Sequence, residues 1–198
     1  NTLLETSERL IGWSDDIEIT LEANPGAVDA RNFNGFHAAG INRLSIGVQS
    51  FDARKLRALG RIHSADDSVR AYSAARDAGF EQINLDLMYG LPQQDTAQAL
   101  ADLKTAIDLQ PEHVSWYELT VEPNTEFYKR PPQLPPELAL ESIESEGRAC
   151  LQQAGYARYE ISAYARPHRR SQHNSNYWQF GDYIGIGAGA HSKVTTVS

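Results

Sequence analysis

The apolar positions of this chain alternate between two spacings. Four runs, 17–21, 43–48, 83–88 and 114–119, are short and rich in Ile, Leu and Val, as strands buried in a sheet are. The stretches between them space their apolar residues by three and four, as helices do: Phe33 with Phe36, Val69 with Tyr72 and Ala75, Leu100 with Leu103, Ala106 and Ile107. Asp29 is expected to cap the first helix and Gly40 to end it. Ser64 or Asp66 caps the next, which stops at Gly79, and a third spans 96–109. A short helical insertion occupies 51–59. The proline-rich link 131–136 reads as a semi-rigid spacer before a helix over 137–153 closed by Gly155, and 156–164 reads as a last strand. An amphipathic helix with Leu3, Leu4, Leu10 and Ile11 on its apolar side opens the chain. With no starting methionine, the chain is expected to be a piece of something longer. From Arg166 onward a polar, aromatic and glycine-rich tail gives no assignable element.

Strands alternating with helices predict an α/β fold with a parallel sheet under helices. An open doubly wound sheet and a barrel both satisfy this pattern, and both place the site at the carboxyl ends of the strands. Glu22, Gln49, Asp86 and Glu118 stand at or near four successive strand ends. A barrel lets them converge, whereas an open sheet gathers only those beside a switch point. A partial barrel is therefore expected.

Charge and composition narrow the function. The 18 Lys and Arg against 26 Asp and Glu leave a net charge of −8, and the one dense basic run is 166–170, so a nucleic-acid surface is not expected. No apolar run approaches the roughly 20 residues that span a bilayer, and no signal peptide opens the chain, so a cytoplasmic location is expected. With 198 residues, 41% of them hydrophobic, a core forms without disulfides. The single cysteine, Cys150, rules out an iron–sulfur cluster or zinc site built from this chain's own thiolates. It is expected to be a buried small apolar residue in its helix.

Among the chemistry-bearing residues, Asp86 stands out. A carboxylate inside Leu85-Asp86-Leu87-Met88 is costly to bury without a partner or a polar cavity. Glu22 and Gln49 read equally as groups that satisfy the following turns. Arg61, in Gly60-Arg61-Ile62-His63, is either a surface residue or a bidentate clamp for a ligand carboxylate. The glycine run 185–191 lacks the spacing of a dinucleotide loop and reads as backbone open to close approach by a flat or bulky ligand. His173-Asn174-Ser175-Asn176-Tyr177-Trp178 sets an imidazole beside two aromatics, a surface that either packs or holds a porphyrin.

Taken together, Glu22-Ala23-Asn24-Pro25, Asn42 to Phe51, Gly60 to His63, Asn84 to Pro92 and His173-Asn174-x-x-Tyr177-Trp178 resemble the HemW family of radical S-adenosylmethionine (SAM) proteins, a branch of the oxygen-independent coproporphyrinogen III oxidase superfamily. The resemblance implies a partial TIM-like (β/α) barrel around a [4Fe–4S] cluster and SAM, incomplete in this chain. Residues 1–165 would form the barrel, and 166–198 a segment closing the site. It implies that Glu22 contacts SAM, that Gln49, Arg61 and Asp86 line the pocket of SAM or a second SAM, and that Thr120 and His191 lie near it. His173 and Tyr177 become candidates to hold heme. The family's cluster cysteines, in a C-x-x-x-C-x-x-C motif, do not occur here. This chain is therefore expected neither to assemble the cluster nor to do radical chemistry alone. The resemblance further implies a heme chaperone, carrying heme as cargo to acceptor proteins. The alternatives are a coproporphyrinogen dehydrogenase that decarboxylates porphyrinogen propionates, and an unrelated barrel enzyme using Asp86 and Glu118 as an acid–base pair.

Overall fold

The computed structural model describes residues 2–188 and 190–196, and for 27–31 the backbone alone. In chain order the elements are α1 (Thr2–Ile11), β1 (Thr20–Ala23), α2 (Ala27–Ala38), β2 (Arg43–Gln49), α3 (Ala53–Ala58), α4 (Ala65–Asp77), β3 (Ile83–Tyr89), α5 (Thr96–Asp108), β4 (His113–Glu118), α6 (Glu126–Lys129), α7 (Glu137–Gln153), β5 (Ala157–Arg158), β6 (Ala163–Ala165) and α8 (Gln172–Trp178). One six-stranded sheet has the order β1-β2-β3-β4-β6-β5. Its first four strands are mutually parallel, and β6 is antiparallel to both its neighbours. β1 and β5 are the sheet's edges, so the barrel is unclosed.

The period of two along the strands separates two chemistries. On one face Leu44, Ile46, Leu85, Leu87, Val114 and Trp116 are buried against a helix layer that contributes Phe33, Tyr72, Ala75, Leu103, Ile143 and Leu151. On the other face Arg43, Ser45, Asn84 and His113, all buried, lie beside Asp86, Ser115 and Tyr117. Parallel strands covered on both sides normally read as continuously apolar. A polar inner face marks the side on which a barrel keeps its site.

Caps fix the helices that cross between strands. Ser64 and Asp67 form a reciprocal capping box on α4, and Asp95 and Gln98 form another on α5. For α2 the cap differs from expectation: the helix begins at Ala27 after Gly26, which makes no side-chain cap bond, and the Asp29 side chain lies outside the described residues.

Other departures have local causes. β1 starts at Thr20 rather than 17, because the Asn42 side chain accepts from the Ile19 N–H (2.8 Å) and donates to the Ile17 carbonyl (2.7 Å), taking the place of a ladder. The segment 156–164 is not one strand. A bend at 160–162 folds it back, with the Tyr159 N–H donating to the Ala163 carbonyl (3.1 Å), and β6 slots between β4 and β5. The tail holds a helix after all, α8, and the apolar side of α1 is exposed at Leu3, Leu10 and Ile11. Cys150 is half-buried rather than buried.

Candidate functional site

A bulge in β2 builds the carboxyl end of the inner face. Ile46 pairs with Leu85 but Gln49 with Leu87, so two residues of β2 oppose one of β3. Gln49 has φ of 69°, a left-handed conformation uncommon outside glycine, and this turns its buried amide inward, where Oε1 accepts from the Tyr117 hydroxyl at 2.7 Å. A Cβ at Gly47 would stand 3.0 Å from the Gln49 amide nitrogen, so the absence of a side chain there gives that amide its room.

The loops around this end are tied to the scaffold. Asp102 on α5 accepts from the Ser50 hydroxyl (2.6 Å) and the Phe51 N–H (2.7 Å), and burial pushes its carboxyl up to about 6. Lys55, buried on α3, donates to the carbonyls of Pro92 and Gln93, each at 2.8 Å. The His63 ring bonds the Val48 carbonyl at 3.1 Å, which holds the loop bearing Arg61 against the end of β2.

Asp86 sits in the middle of the polar face. Its Oδ2 accepts from Ser45 (2.8 Å) and its Oδ1 from Asn84 (2.7 Å). Burial raises its pKa, against the opposing pull of hydrogen bonds from Ser45 and Asn84 and the charge of Arg43. The Tyr117 phenol, pushed up to about 12 mainly by burial, feels the charges of Asp86, Arg61 and Glu22. Four expected residues, Glu22, Gln49, Arg61 and Asp86, thus gather around one tyrosine that the sequence did not single out. Glu22 and Arg61 are exposed on the rim.

The other candidates lie elsewhere. Glu118 does not join the cluster: it shares the outer face of β4 with Val114 and Trp116, and its Cγ lies 3.4 Å from where a Cβ on Gly90 would stand. An acid–base pair of Asp86 with Glu118 is therefore ruled out by strand parity. Thr120, just past β4, is exposed and donates to Glu122 (2.9 Å). His191 is exposed, and its carbonyl presses on Gly185, so the close approach allowed at that glycine is made by the chain itself; Gly189 lies outside the described residues.

On α8, His173 and Tyr177 stand one turn apart and both face Tyr183, with ring centroids 5.4 and 6.1 Å away. Both are exposed, as is Trp178, 5.8 Å from Tyr177. The helix is held at its start by Ser171, whose hydroxyl accepts from the Asn174 N–H. Glu18 reaches in from before β1 to accept from the N–H groups of Gln172 and His173, each at 2.9 Å. Two cavities of about 460 and 470 Å³ lie at the opposite, amino-terminal rim, bordered by residues such as Asn42, Arg43, His168 and Arg170, away from Asp86.

Two carboxyl groups, Asp86 and Glu22, and the Arg61 guanidinium, all within electrostatic reach of Tyr117, suit a zwitterionic ligand that also carries a positive centre. An iron–sulfur cluster does not fit the residues present. The chain's one cysteine lies on α7, in the helix layer behind the sheet, and among the described residues no group of His, Cys, Asp and Glu is arranged to hold a metal.

Residues 4–106, over half of the chain, match the model of the Radical SAM superfamily. A protein of Escherichia coli (strain K12) named Heme chaperone HemW is 54% identical over 194 residues, covering 98% of this chain and 51% of its own length. The mitochondrial Radical S-adenosyl methionine domain-containing protein 1 of Bos taurus is 43% identical over 183 residues, covering 90% of this chain and 41% of its own. Among solved structures, the E. coli coproporphyrinogen III oxidase HemN, described as a radical SAM enzyme, superposes with a TM-score of 0.80 at 26% identity, over 96% of this chain and 48% of that one. The chain spans about half the length of the curated relatives it matches. Its sheet, its inner-face polar cluster and these likenesses agree, and the chain belongs to the radical SAM superfamily.

Proposed function

We propose that this chain is part of a heme chaperone that binds SAM at the carboxyl ends of its strands and heme on α8. The observation that carries the reading is the 54% identity, along nearly the whole chain, with a protein named as a heme chaperone, against 26% with the oxidase that shares the fold. SAM carries a carboxylate, an ammonium and a sulfonium. Arg61 would pair with the first, Asp86 and Glu22 would balance the positive groups, and Gln49 would hydrogen-bond from its fixed, inward-turned amide. Thr120 and His191 would border the same ligand from the loops beyond β4 and α8. When bound, SAM and a [4Fe–4S] cluster supply the reductive chemistry of the superfamily; the cluster's ligands would come from outside this chain. The chain's own part is to position and shield.

His173 offers an exposed imidazole to iron, and Tyr177 and Tyr183 offer flat apolar surface to a macrocycle. On this reading residues 1–165 form the barrel portion and 166–198 close the site. The cargo passes to an acceptor protein, and the setting is the cytoplasm. No helix among the described residues is long and apolar enough to cross a membrane. The SAM assignment is tested by calorimetry on the full-length, anaerobically reconstituted protein: Asp86→Ala should weaken SAM binding about tenfold or more, a loss of about 1.4 kcal/mol. Unchanged affinity would remove Asp86 from the site.

A further inference from the structure

A line of hydrogen bonds, buried at Asn84 and His113 and partly buried at its ends, runs from Asp86 across the sheet to α8. Asn84 gives both amide protons away, one to the Ser45 hydroxyl (2.8 Å) and one to Asp86 (2.7 Å), so its carbonyl oxygen is left to accept. It accepts from the Ser115 hydroxyl (3.1 Å) and from Nδ1 of His113 (2.6 Å). Burial drives the His113 pKa down to about 3, so the ring is neutral, and with its proton on Nδ1 the bare Nε2 must accept. The donor is the Tyr159 hydroxyl, 2.7 Å away. That phenol has then used its only proton and accepts in turn, from the Ser171 N–H (3.2 Å) and the Asn174 amide (3.3 Å). Each link fixes the direction of the next. Ser171 is the N-cap of α8 and Asn174 lies in its first turn, so the line ends on the helix that carries His173 and Tyr177.

We propose that His113 and Tyr159 are positioning residues that couple the ligand site at Asp86 to α8, so that SAM bound at the strand ends tightens the helix to which heme binds. Asn84 and His113 are buried and meet each other directly, so a change in what Asp86 accepts is passed along the line by the protein's own groups. Tyr159 is the point at which the link can be cut without emptying the core: Tyr159→Phe keeps the ring that packs edge-on against His113 (5.5 Å) and beneath Arg170 (5.4 Å) and removes only the oxygen. Because coupling is reciprocal, heme should raise the affinity for SAM by the same factor.

The inference rests on the assignment of SAM to Asp86, and the test separates the two. Amide hydrogen exchange of 172–178 is followed in the full-length, reconstituted protein with and without SAM, in wild type and in Tyr159→Phe, with SAM occupancy checked by calorimetry. In wild type SAM should slow exchange in α8 by about fivefold or more, the lower end of site-to-site couplings. In Tyr159→Phe, α8 should exchange faster at rest and SAM, though bound, should leave it unchanged. SAM bound to wild type without effect on α8, or an equal effect in Tyr159→Phe, would overturn the coupling while leaving the SAM site standing. SAM affinity indifferent to Asp86→Ala would overturn the site assignment and the coupling with it.

Discussion

At the scale of single residues, His113 on the inner face and Asp102 on α5 make stability respond to pH in opposite directions. His113 has a pKa of about 3 when folded against 6.5 ordinarily, so below 6.5 the unfolded chain binds a proton that the folded one refuses. Its contribution is complete above pH 6.5 and is lost as pH falls toward 3, by about 1.4 kcal/mol per unit. Asp102 sits at about 6 against 3.8, so here the folded chain holds the extra proton, and the penalty for its ionised form grows as pH rises from 3.8 to 6. Between pH 6 and 4 the two trends oppose. Replacing His113 with Gln should remove the first, so that the variant gains stability relative to wild type by about 1 kcal/mol for each unit of acidification across that range, read from urea midpoints. A difference between the two proteins that stays constant with pH would show that His113 titrates normally in the fold.

The same residues show what a sequence displays and what it hides. Asp86 was visible because a carboxylate within Leu85-Asp86-Leu87-Met88 breaks an apolar run. His113, Tyr117 and Tyr159 were not, because a histidine at a strand's start and tyrosines within strand-like segments are ordinary there. Only the pairing of β4 with β3, and the bend at 160–162, bring them to Asn84 and Gln49.

Among the elements, α7 matched its expected bounds and shows how a helix is fitted to the sheet. Gly147 lies where α7 crosses β4, and a Cβ there would be driven into the Trp116 indole. In an open helix Gly→Ala is worth about 1 kcal/mol of added stability. Here Gly147→Ala should instead destabilise by about 1–3 kcal/mol, because the indole, packed between Tyr89 and Tyr164, has no room to move. Thermal unfolding of the variant decides the sign, and stabilisation would mean that α7 sits farther from β4. Of the helices with strong caps, α5 was legible to within a residue, and for α4 the structure takes Ser64 of the two caps the sequence offered, Ser64 and Asp66. α8 was not, because its seven residues lack an apolar stripe and its start is fixed by Glu18, a partner some 150 residues away in sequence. Likewise the hairpin of β5 and β6 was hidden in what looked like one strand, since no glycine or proline marks the bend.

For the molecule as a whole, alternation of strand and helix was enough to give the parallel sheet, and polar residues at strand ends were enough to favour a barrel-like inner face over an open sheet. Of the four residues expected to converge, Glu22, Gln49, Asp86 and Glu118, the sequence could not show that Glu118 would turn to the outer face, since that parity depends on the register between strands. The resulting molecule presents two candidate sites on one scaffold, the strand ends around Tyr117 and the aromatic face of α8, joined through Tyr159. The central claim is that the second of these carries heme. It is tested most directly by titrating heme into the full-length, anaerobically reconstituted protein and into its His173→Ala variant, followed by absorbance, with coproporphyrinogen turnover assayed alongside. The account predicts stoichiometric heme binding by the wild type without porphyrinogen oxidation, and a loss of binding of at least about tenfold in the variant. A protein that shows no affinity for heme but decarboxylates coproporphyrinogen with consumption of SAM would contradict it.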